Sequence, residues 1–359
     1  MDCCQSMTNE TSSSSSDVAY ARLPVLSRRT LLTGAAGLVG AAVLAGCGSG
    51  PGDGGGDRIQ LAFCSQLLCV VPYEVTVARG FFADEGLEVE LVYSRGGGAA
   101  LQALVSGAVD YAATSFDAAV QAFSGGGDIR RFASTGRLPL FALATAPGAA
   151  AEIDELTDLT GRTVGVSALG NADHTIMLYL LSQAGVDGDA VEFANLGTNI
   201  YDALRLGQVA AGMVQEPALT LIQGDGGSVL ANLMDLAVAD ELLGGPYEFM
   251  GVSVRADERE ERREEMQRLA RALERGLEAT RTAPVYELVD ALPGELIAGD
   301  DREQVAAVLE THRRSLYPDD VSIDVTACQR VLDSLDQVGQ LESDVTADAI
   351  LDLDIVAPA

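Results

Sequence analysis

Two stretches of the chain, one hundred residues apart, carry the same order of features. The segment ALVSGAVDYAATSFDAA, which begins at Ala103, aligns without a gap with ALRLGQVAAGMVQEPAL, which begins at Ala203. Each starts as the end of a helix, passes through a glycine (Gly107 or Gly207), and continues as a short strand and a polar loop. This separation is too wide for a solenoid repeat. The pattern therefore predicts two similar α/β lobes.

Short apolar runs alternate with helical patterns after residue 57, which is typical of a mostly parallel sheet flanked by helices. We predict strands at Ile59–Phe63, Leu87–Tyr93 and Asp110–Ala113. We predict helices at Pro72–Arg79, with the proline in its first turn, and at Ala99–Ser106. The predicted fold class is α/β, with each lobe a mostly parallel sheet flanked by helices.

The charge balance excludes some partners. The chain has 53 acidic residues against 23 basic ones, and every basic residue is arginine, so its net charge is −30. Such an excess repels phosphate backbones and anionic lipids, so no nucleic-acid partner is expected. An acidic surface without lysine resembles halophilic, salt-adapted archaeal proteins. A GC-rich bacterial source would explain the arginine but not the complete absence of lysine.

The N-terminal segment resembles an export signal. SRRTLL, which contains Arg28 and Arg29, resembles a twin-arginine signal, and LAGC, which ends at Cys47, resembles a lipobox. The apolar run Leu31–Ala45 is too short for a stable membrane span, although an uncleaved anchor stays open. We expect residues 1–47 to be a twin-arginine lipoprotein signal with Cys47 lipidated. The long polar lead leaves translation from Met7 open.

Residues 48–57 are rich in glycine and predict a flexible tether. Together with the signal, this segment predicts an extracytoplasmic protein, exported by the twin-arginine route and anchored to the outer face of the cell membrane only by lipid. Beyond the tether, the cysteines are Cys64, Cys69 and Cys328. They permit one disulfide, with Cys64 and Cys69 as the nearest pair, or three buried free thiols.

Polar and glycine-rich loops follow the predicted strands of both lobes. Open α/β sheets bind ligands beyond the carboxyl ends of their strands, so facing loops would form one cleft. Glycines there let backbone N–H groups approach an electronegative ligand group. The predicted ligand-binding residues are Ser65, Gln66, Gly96, Gly97, Gly98, Thr114, Ser115 and Asp117 in the first lobe, and Ser167, Gly170, Asn171, His174, Asn195, Thr198, Gln215 and Glu216 in the second.

Several of these residues have a simpler structural interpretation. Asp117 and Glu216 each precede or begin a predicted helix, where capping accounts for them as well as ligand contact does. His174 lies in the first turn of a predicted helix, where a local hydrogen bond or packing suffices. The glycines at 96–98 form an incomplete dinucleotide fingerprint and, taken alone, indicate a tight turn.

Residues typical of catalysis are scarce. The chain has two histidines, His174 and His312, and no His/Cys cluster with metal-ligand spacing. Because lysine is absent, the chain cannot form a pyridoxal Schiff base of its own. We therefore expect binding without turnover, with no cofactor and no metal.

Three stretches carry a family resemblance: VPYEVTVARGFFADEGLEVELVYSRGGGAALQALVSGAVDYAA, LTDLTGRTVGVSALGNADHTIMLYLLSQAGVD and ALRLGQVAAGMVQEPAL. They resemble the NMT1/THI5-like substrate-binding lipoproteins of ABC importers over roughly residues 58–255. The resemblance implies a periplasmic-binding-protein-like type II fold, with two lobes on a two-crossing hinge of the Venus-flytrap type. The implied first lobe is 58–144 with 250–359, and the second is 145–249. It also implies ligand contacts at Glu216 and Gly96–Gly98.

The resemblance implies an extracytoplasmic protein, expected to be a monomer, that delivers a solute to an ABC permease and its ATPase. Its family binds nitrate, sulfonates, taurine and thiamine-precursor pyrimidines, and among these we favour a neutral or weakly basic heterocycle. One alternative is a pyrimidine-precursor synthase, against which the missing lysine and the export signal argue. Another is the sensing domain of a regulator, for which no DNA-binding segment is evident.

Overall fold

A computed structural model of the protein describes residues 57–64, 66–297, 301–341 and 345–356, all of which belong to a single compact unit. The predicted signal at 1–47, the lipidation site Cys47 and all but the last residue of the predicted tether lie outside these ranges. Ser65, one of the predicted ligand-binding residues, also lies outside them. Within the described ranges, no helix combines the length and the apolar character needed to cross a membrane.

In the described part of the chain, strands and helices alternate from residue 57 to residue 255, and helices follow. The strands are β1 (Asp57–Cys64), β2 (Leu87–Ser94), β3 (Tyr111–Ser115), β4 (Ile129–Gly136), β5 (Ala142–Thr145), β6 (Thr163–Val166), β7 (Glu192–Asn195), β8 (Ala211–Val214), β9 (Val229–Asn232) and β10 (Met250–Arg255). The α-helices are α1 (Leu67–Ala78), α2 (Phe81–Asp84), α3 (Gly97–Val105), α4 (Phe116–Ser124), α5 (Ala172–Gln183), α6 (Ile200–Arg205), α7 (Ala218–Gly224), α8 (Leu236–Leu243), α9 (Arg263–Thr282), α10 (Val285–Ala291), α11 (Arg302–Leu316), α12 (Val325–Gln337) and α13 (Ala347–Ile350).

The strands form two sheets with the same internal order. The first sheet runs β2-β1-β3-β10-β4 and the second runs β7-β6-β8-β5-β9. In each sheet the first three strands are parallel, and the fourth runs antiparallel to both of its neighbours. Helices flank both sheets. The predicted fold class, two similar α/β lobes, is confirmed.

The two recurring sequence segments occupy equivalent places in the two sheets. The first leads from α3 into β3 and the second from α6 into β8, which are the middle strands of their sheets. Both helices end at a left-handed glycine, Gly107 with φ 75° and Gly207 with φ 66°. The next amide bonds back to the helix in both, at 2.9 Å from Ala108 N to Ala103 O and at 2.8 Å from Gln208 N to Ala203 O. The local pattern therefore reflects a repeated structural unit.

The chain passes between the two sheets twice. The first crossing is 137–141, between β4 and β5, and the second is 233–249, between β9 and β10. Because β5 pairs with β8 and β9, the second sheet begins at Ala142, a few residues before the boundary that the sequence suggests after residue 144. The helices after β10 return to the first sheet, where α9 packs on α1 and α2, while α12 contacts both α4 and α5.

The first helix differs from its prediction. It begins at Leu67, so Pro72 lies inside α1 and not in its first turn. A proline has no N–H to donate to the carbonyl four residues earlier, which here belongs to Leu68. The buried hydroxyl of Tyr317 donates to that carbonyl at 2.8 Å. A side chain from the C-terminal part of the chain therefore supplies the hydrogen bond that the proline removes.

Candidate functional site

A cavity of about 500 Å³ opens between the two sheets. The first sheet contributes the loops after β1, β2 and β3, and the second contributes the loop after β6. Phe141 from the first crossing, and Phe249 and Met250 at the end of the second, complete the wall. This is the position, beyond the carboxyl ends of parallel strands, at which open α/β sheets bind ligands.

Helix N-termini converge on this cavity. The helices α1, α3 and α4 of the first sheet and α5 of the second each bring first-turn or capping residues to its wall. The α3 helix begins after Gly96, whose φ of 87° is a conformation that favours glycine. No side chain caps α3 or α5. Backbone N–H groups and the positive ends of helix dipoles therefore favour an electronegative ligand atom here.

The wall of the second lobe is a small hydrogen-bonded cluster. The Asp173 carboxylate accepts bonds from the Ser167 amide and from the Ser167 hydroxyl, the latter at 2.7 Å. The Asn171 side chain donates to the same hydroxyl at 3.0 Å. Burial raises the pKa of Asp173, while the bonds from Ser167 lower it. Each carboxylate oxygen of Asp173 therefore already accepts one hydrogen bond from Ser167.

Two side-chain hydrogen bonds join the lobes beside the cavity. Gln215 Nε2 donates to Gln66 Oε1 at 2.7 Å, and Gln121 Nε2 donates to the carbonyl oxygen of Gly170 at 2.7 Å. Gln66 and Gln121 belong to the first lobe, and Gln215 and Gly170 to the second. The two lobes are therefore in direct contact around the cavity.

Part of the predicted ligand-binding set lies at the cavity wall. The residues in this group are Gln66, Gly96, Gly97, Gly98, Ser115, Ser167 and Asn171. Gln215 and Gly170 lie at the edge of the cavity, because each is hydrogen-bonded to a wall residue of the first lobe. Thr114, Asn195 and Thr198 do not contribute to the wall; Thr114 is buried, and its carbonyl oxygen bonds with Arg131.

Asp117 is turned away from the cavity. Its carboxylate accepts a hydrogen bond from the Tyr247 hydroxyl at 2.9 Å, and that hydroxyl also lies 2.9 Å from Ser334 Oγ. Burial raises the pKa of Asp117 to about 6, although the Tyr247 bond lowers it. Asp117 therefore joins α4 to the second crossing and to α12.

Glu216 and His174 also make local contacts. Glu216 accepts bonds from the Thr220 amide and hydroxyl, both at 3.1 Å, and lies 3.4 Å from His312 Nε2. This matches the helix-capping interpretation, with an added contact to α11. The Nδ1 atom of His174 accepts a hydrogen bond from the Gly170 amide at 3.0 Å, and the His174 ring packs edge-on against Phe193. His174 lines a groove separate from the cavity.

The sequence patterns missed a second group of wall residues. They include Cys64, Cys69, Leu101, Gln121, Phe141, Asp173, Phe249 and Met250. Gln121 could have been found, because it lies one helical turn after Asp117. Asp173 could also have been found, because it lies between the predicted residues Asn171 and His174. Phe141 and Phe249 come from the interlobe crossings, and Met250 begins β10 directly after the second; no local motif marks these positions.

A buried cation lies beside the cavity wall. Arg131 is fully buried and donates to the carbonyl oxygens of Thr114, at 2.6 Å, and Phe249, at 3.1 Å. Its guanidinium lies 3.6 Å from Glu248 Oε1. Burial raises the pKa of Glu248 to about 7, although Arg131 lowers it. Arg131 thus links β3 to the second crossing.

The charge at the wall is low. Among the described residues that line the cavity, Asp173 is the single acidic residue, and none is arginine or histidine. In the described ranges, no three His, Cys, Asp or Glu side chains cluster in a way that could hold a metal ion. Hydrogen bonds and packing, more than ion pairs, are therefore the interactions that these residues offer a ligand.

Solved structures share this architecture at low sequence identity. A Bordetella bronchiseptica protein matches with TM-score 0.73 and 22% identity over 83% of this chain and 95% of its own. The alkanesulfonate-binding protein SsuA from Xanthomonas axonopodis pv. citri, bound to MOPS, matches with TM-score 0.64 and 17% identity over 82% and 98%. The periplasmic nitrate-binding protein NrtA from Synechocystis PCC 6803 matches with TM-score 0.64 and 14% identity over 84% and 87%.

These likenesses establish the fold, that of periplasmic binding proteins. No curated protein sequence matches the chain. The family model described as NMT1/THI5 like matches residues 70–286, which is more than half of the chain and spans both sheets. The resemblance seen in the sequence is thereby confirmed, and the chain belongs to the NMT1/THI5-like family.

Proposed function

We propose that this protein is the extracytoplasmic solute-binding component of an ABC importer. The observation that carries the proposal is the cavity itself, which is walled by loops that follow the parallel strands of both sheets. A solute that touches both lobes stabilises their closed arrangement, whereas a solute that touches one lobe alone shifts nothing. A membrane permease with its ATPase would then recognise the closed form.

The relatives support this function. The solved structures with the same fold include proteins named for binding alkanesulfonate and nitrate. These proteins are named for binding and not for a reaction. We therefore propose binding without turnover for this chain. The lipid anchor at Cys47, export by the twin-arginine route and a monomeric state belong to the same proposal and are supported by the sequence motifs alone.

The wall favours a small, uncharged polar solute with oxygen or nitrogen acceptors. Helix N-termini offer backbone donors to such acceptors, but no cationic side chain among the described wall residues would neutralise a full negative charge. Phe141, Phe249 and Leu101 supply apolar surface against which a flat ring can pack. Of the expected solutes, a thiamine-precursor pyrimidine fits these features best.

A sulfonate is the second candidate. The uncapped starts of α3 and α5 present backbone N–H groups of the kind that hold oxyanions at helix N-termini. The alkanesulfonate-binding relative has the same two-lobe fold. The two candidates differ in charge, so a direct comparison of ligands separates them.

The test is a thermal-unfolding screen in concentrated salt with pyrimidines, sulfonates, taurine and nitrate as probes. A ligand that binds only the folded protein stabilises it by about 2.7 kcal/mol at one hundred times its Kd. We expect the largest rise in unfolding temperature with a pyrimidine. If only sulfonates raise the unfolding temperature, a sulfonate is the preferred solute. If no probe raises it, binding of these solute classes is contradicted.

A blocked cavity provides the matched control. Gly98 is exposed at the wall, and an added Cβ there has no neighbour within 4 Å, so Gly98→Leu fills space without a clash. Gly148 has equally open surroundings but lies away from the cavity. We expect Gly98→Leu to abolish the ligand-induced rise and Gly148→Leu to keep it. Equal responses in both variants would place the solute elsewhere.

A further inference from the structure

Three sulfur-containing side chains, those of Cys64, Cys69 and Met250, line the first-lobe side of the cavity. Cys64 ends β1, Cys69 lies in the first turn of α1, and Met250 begins β10, so they come from three separate elements. All three line the cavity and are almost fully buried, with exposed fractions of 6%, 2% and 3%. Cys69 Sγ lies 3.7 Å from Met250 Sδ, and the Cys64 thiol is close enough to Cys69 to raise the pKa of the Cys69 thiol. Both cysteines are free thiols.

The backbone holds these side chains in place. Cys64 pairs with Ser94 of β2 in the sheet, and the Cys69 amide donates to the Gln66 carbonyl at 3.0 Å. Met250 pairs with Ser115 of β3 and Gly136 of β4. A Cβ added at Gly136 would come within 3.0 Å of the Met250 Cβ, so the backbone approaches closely at this point. The sulfur atoms are therefore positioned by regular secondary structure.

The spacing suits a shared metal ion. Sulfur ligands about 2.3 Å from one metal lie about 3.7–4.0 Å from each other in tetrahedral or trigonal geometry. The measured 3.7 Å between Cys69 and Met250 falls in this range. Thiolate and thioether ligands select soft cations such as Cu(I), whereas Ca²⁺ and Mg²⁺ require oxygen ligands. Zn²⁺ normally takes four ligands, and a thioether is not among its usual ones.

We propose that Cys64, Cys69 and Met250 form a binding site for a soft monovalent cation, Cu(I), on the wall of the ligand cavity. Binding replaces the thiol protons of the cysteines that ligate the ion, and these protons pass to solvent. With both cysteines as thiolates and Met250 neutral, the ion and its ligands carry one net negative charge. The site stands independently of the proposed solute transport, because its ligands are fixed without a solute.

Burial disfavours the thiolates when no cation is bound. It raises the pKa of the Cys69 thiol, and the neighbouring Cys64 thiol raises it further. A cation in contact with both sulfurs compensates for that cost. Affinity for Cu(I) should therefore rise with pH, because protons compete with the ion for the same sulfur atoms.

The test is an anaerobic Cu(I) titration of the reduced full-length chain against a chromophoric Cu(I) chelator. Cys3, Cys4 and Cys47 are replaced by serine in every sample, so that the remaining thiols are those at 64, 69 and 328. We expect one Cu(I) per chain. Cys64→Ser or Cys69→Ser should weaken binding by more than about 100-fold, since even outer-shell partners contribute about 10–100-fold. Met250→Leu should weaken binding while it preserves the packing volume.

Cys328→Ser is the matched control, because Cys328 is a buried free thiol on α12 that does not line the cavity. It should leave Cu(I) binding unchanged. No retained Cu(I), equal loss with Cys328→Ser, or unchanged binding in the Cys64→Ser/Cys69→Ser double variant would overturn the proposal. Circular dichroism identifies a variant that fails to fold. If a cysteine variant fails to fold, the Cu(I) affinity of Met250→Leu tests the proposal. The solute screen is scored separately, so failure of either proposal is recognisable.

Discussion

Gln215 Nε2 lies 2.7 Å from Gln66 Oε1, and this hydrogen bond connects the second lobe to the first. Gln66 is the residue before α1, and Gln215 follows β8, so the bond joins the loop after one parallel strand to the loop after another. It lies beside the cavity and far from the crossings in the sequence. In the lobe closure proposed above, a contact in this place would hold the lobes together without help from a ligand.

We expect Gln215→Ala to favour the open arrangement. Loss of one hydrogen bond costs about 1 kcal/mol, which corresponds to roughly a fivefold shift in an equilibrium. Ligand affinity should fall by about that factor, because more binding free energy is then spent on closure. Isothermal titration calorimetry with the most stabilising solute measures the change. Gln223→Ala, an exposed glutamine on α7, is the control and should bind like the unaltered protein.

Arg131 is a buried side chain that should contribute strongly to the stability of the segments beside the cavity. Arg131→Met removes two hydrogen bonds to buried carbonyl oxygens, at Thr114 and Phe249, and the cationic neighbour of Glu248. Loss of one member of a buried ionic group typically costs about 3–5 kcal/mol. Urea unfolding followed by circular dichroism should show a decrease of this size.

The control for Arg131 is an exposed ion pair. Arg58 on β1 pairs with Glu90 at 3.4 Å, and its side chain is 69% exposed. Such pairs contribute about 0–1 kcal/mol, so Arg58→Met should leave the free energy of unfolding almost unchanged. If both variants lost the same free energy of unfolding, the buried contacts of Arg131 would contribute no more to stability than an exposed ion pair does.

Glu248 should make stability fall as the pH rises. Burial raises its pKa in the folded protein to about 7, from 4.5. Between these two values the folded state binds more protons than the unfolded chain, so the free energy of unfolding decreases with increasing pH. The contribution is fully present below about pH 4.5 and is lost as the pH passes through 7.

Glu248→Gln isolates this effect, because the amide oxygen can still accept a bond from Ser134 but the group no longer titrates. Denaturant unfolding between pH 4.5 and 8 should show a smaller decrease in the variant than in the unaltered protein. The many surface carboxylates affect both proteins alike. Identical pH profiles would show that Glu248 titrates normally.

The lobes could be predicted because their signals are local. A glycine that ends a helix before a strand, as at Gly107 and Gly207, is set by a few neighbouring residues. The loops after the strands follow in the same way, and Gly96–Gly98, Ser115 and Ser167 do lie at the cavity wall. Features set by a few neighbouring residues, such as these helix ends and loops, can therefore be predicted from the sequence.

The direction of individual side chains was not visible. Asp117 turns toward Tyr247, which lies 130 residues further along the chain, and Glu216 faces His312 on α11. Phe141, Phe249 and Met250 reach the cavity because the chain crosses twice between the sheets. Such contacts depend on tertiary packing between distant segments, and no local spacing encodes them.

Two glycines at the start of α3 should respond in opposite directions to the same substitution. Gly96 has φ 87°, so Gly96→Ala forces a side chain into a left-handed conformation that costs about 1–2 kcal/mol. Gly98 lies within the helix and has open space around an added Cβ, so Gly98→Ala should increase stability by about 0.5–1 kcal/mol. Urea unfolding measures both changes. If both variants lost stability, α3 would begin elsewhere than after Gly96, and the backbone donors assigned to the cavity would be misplaced.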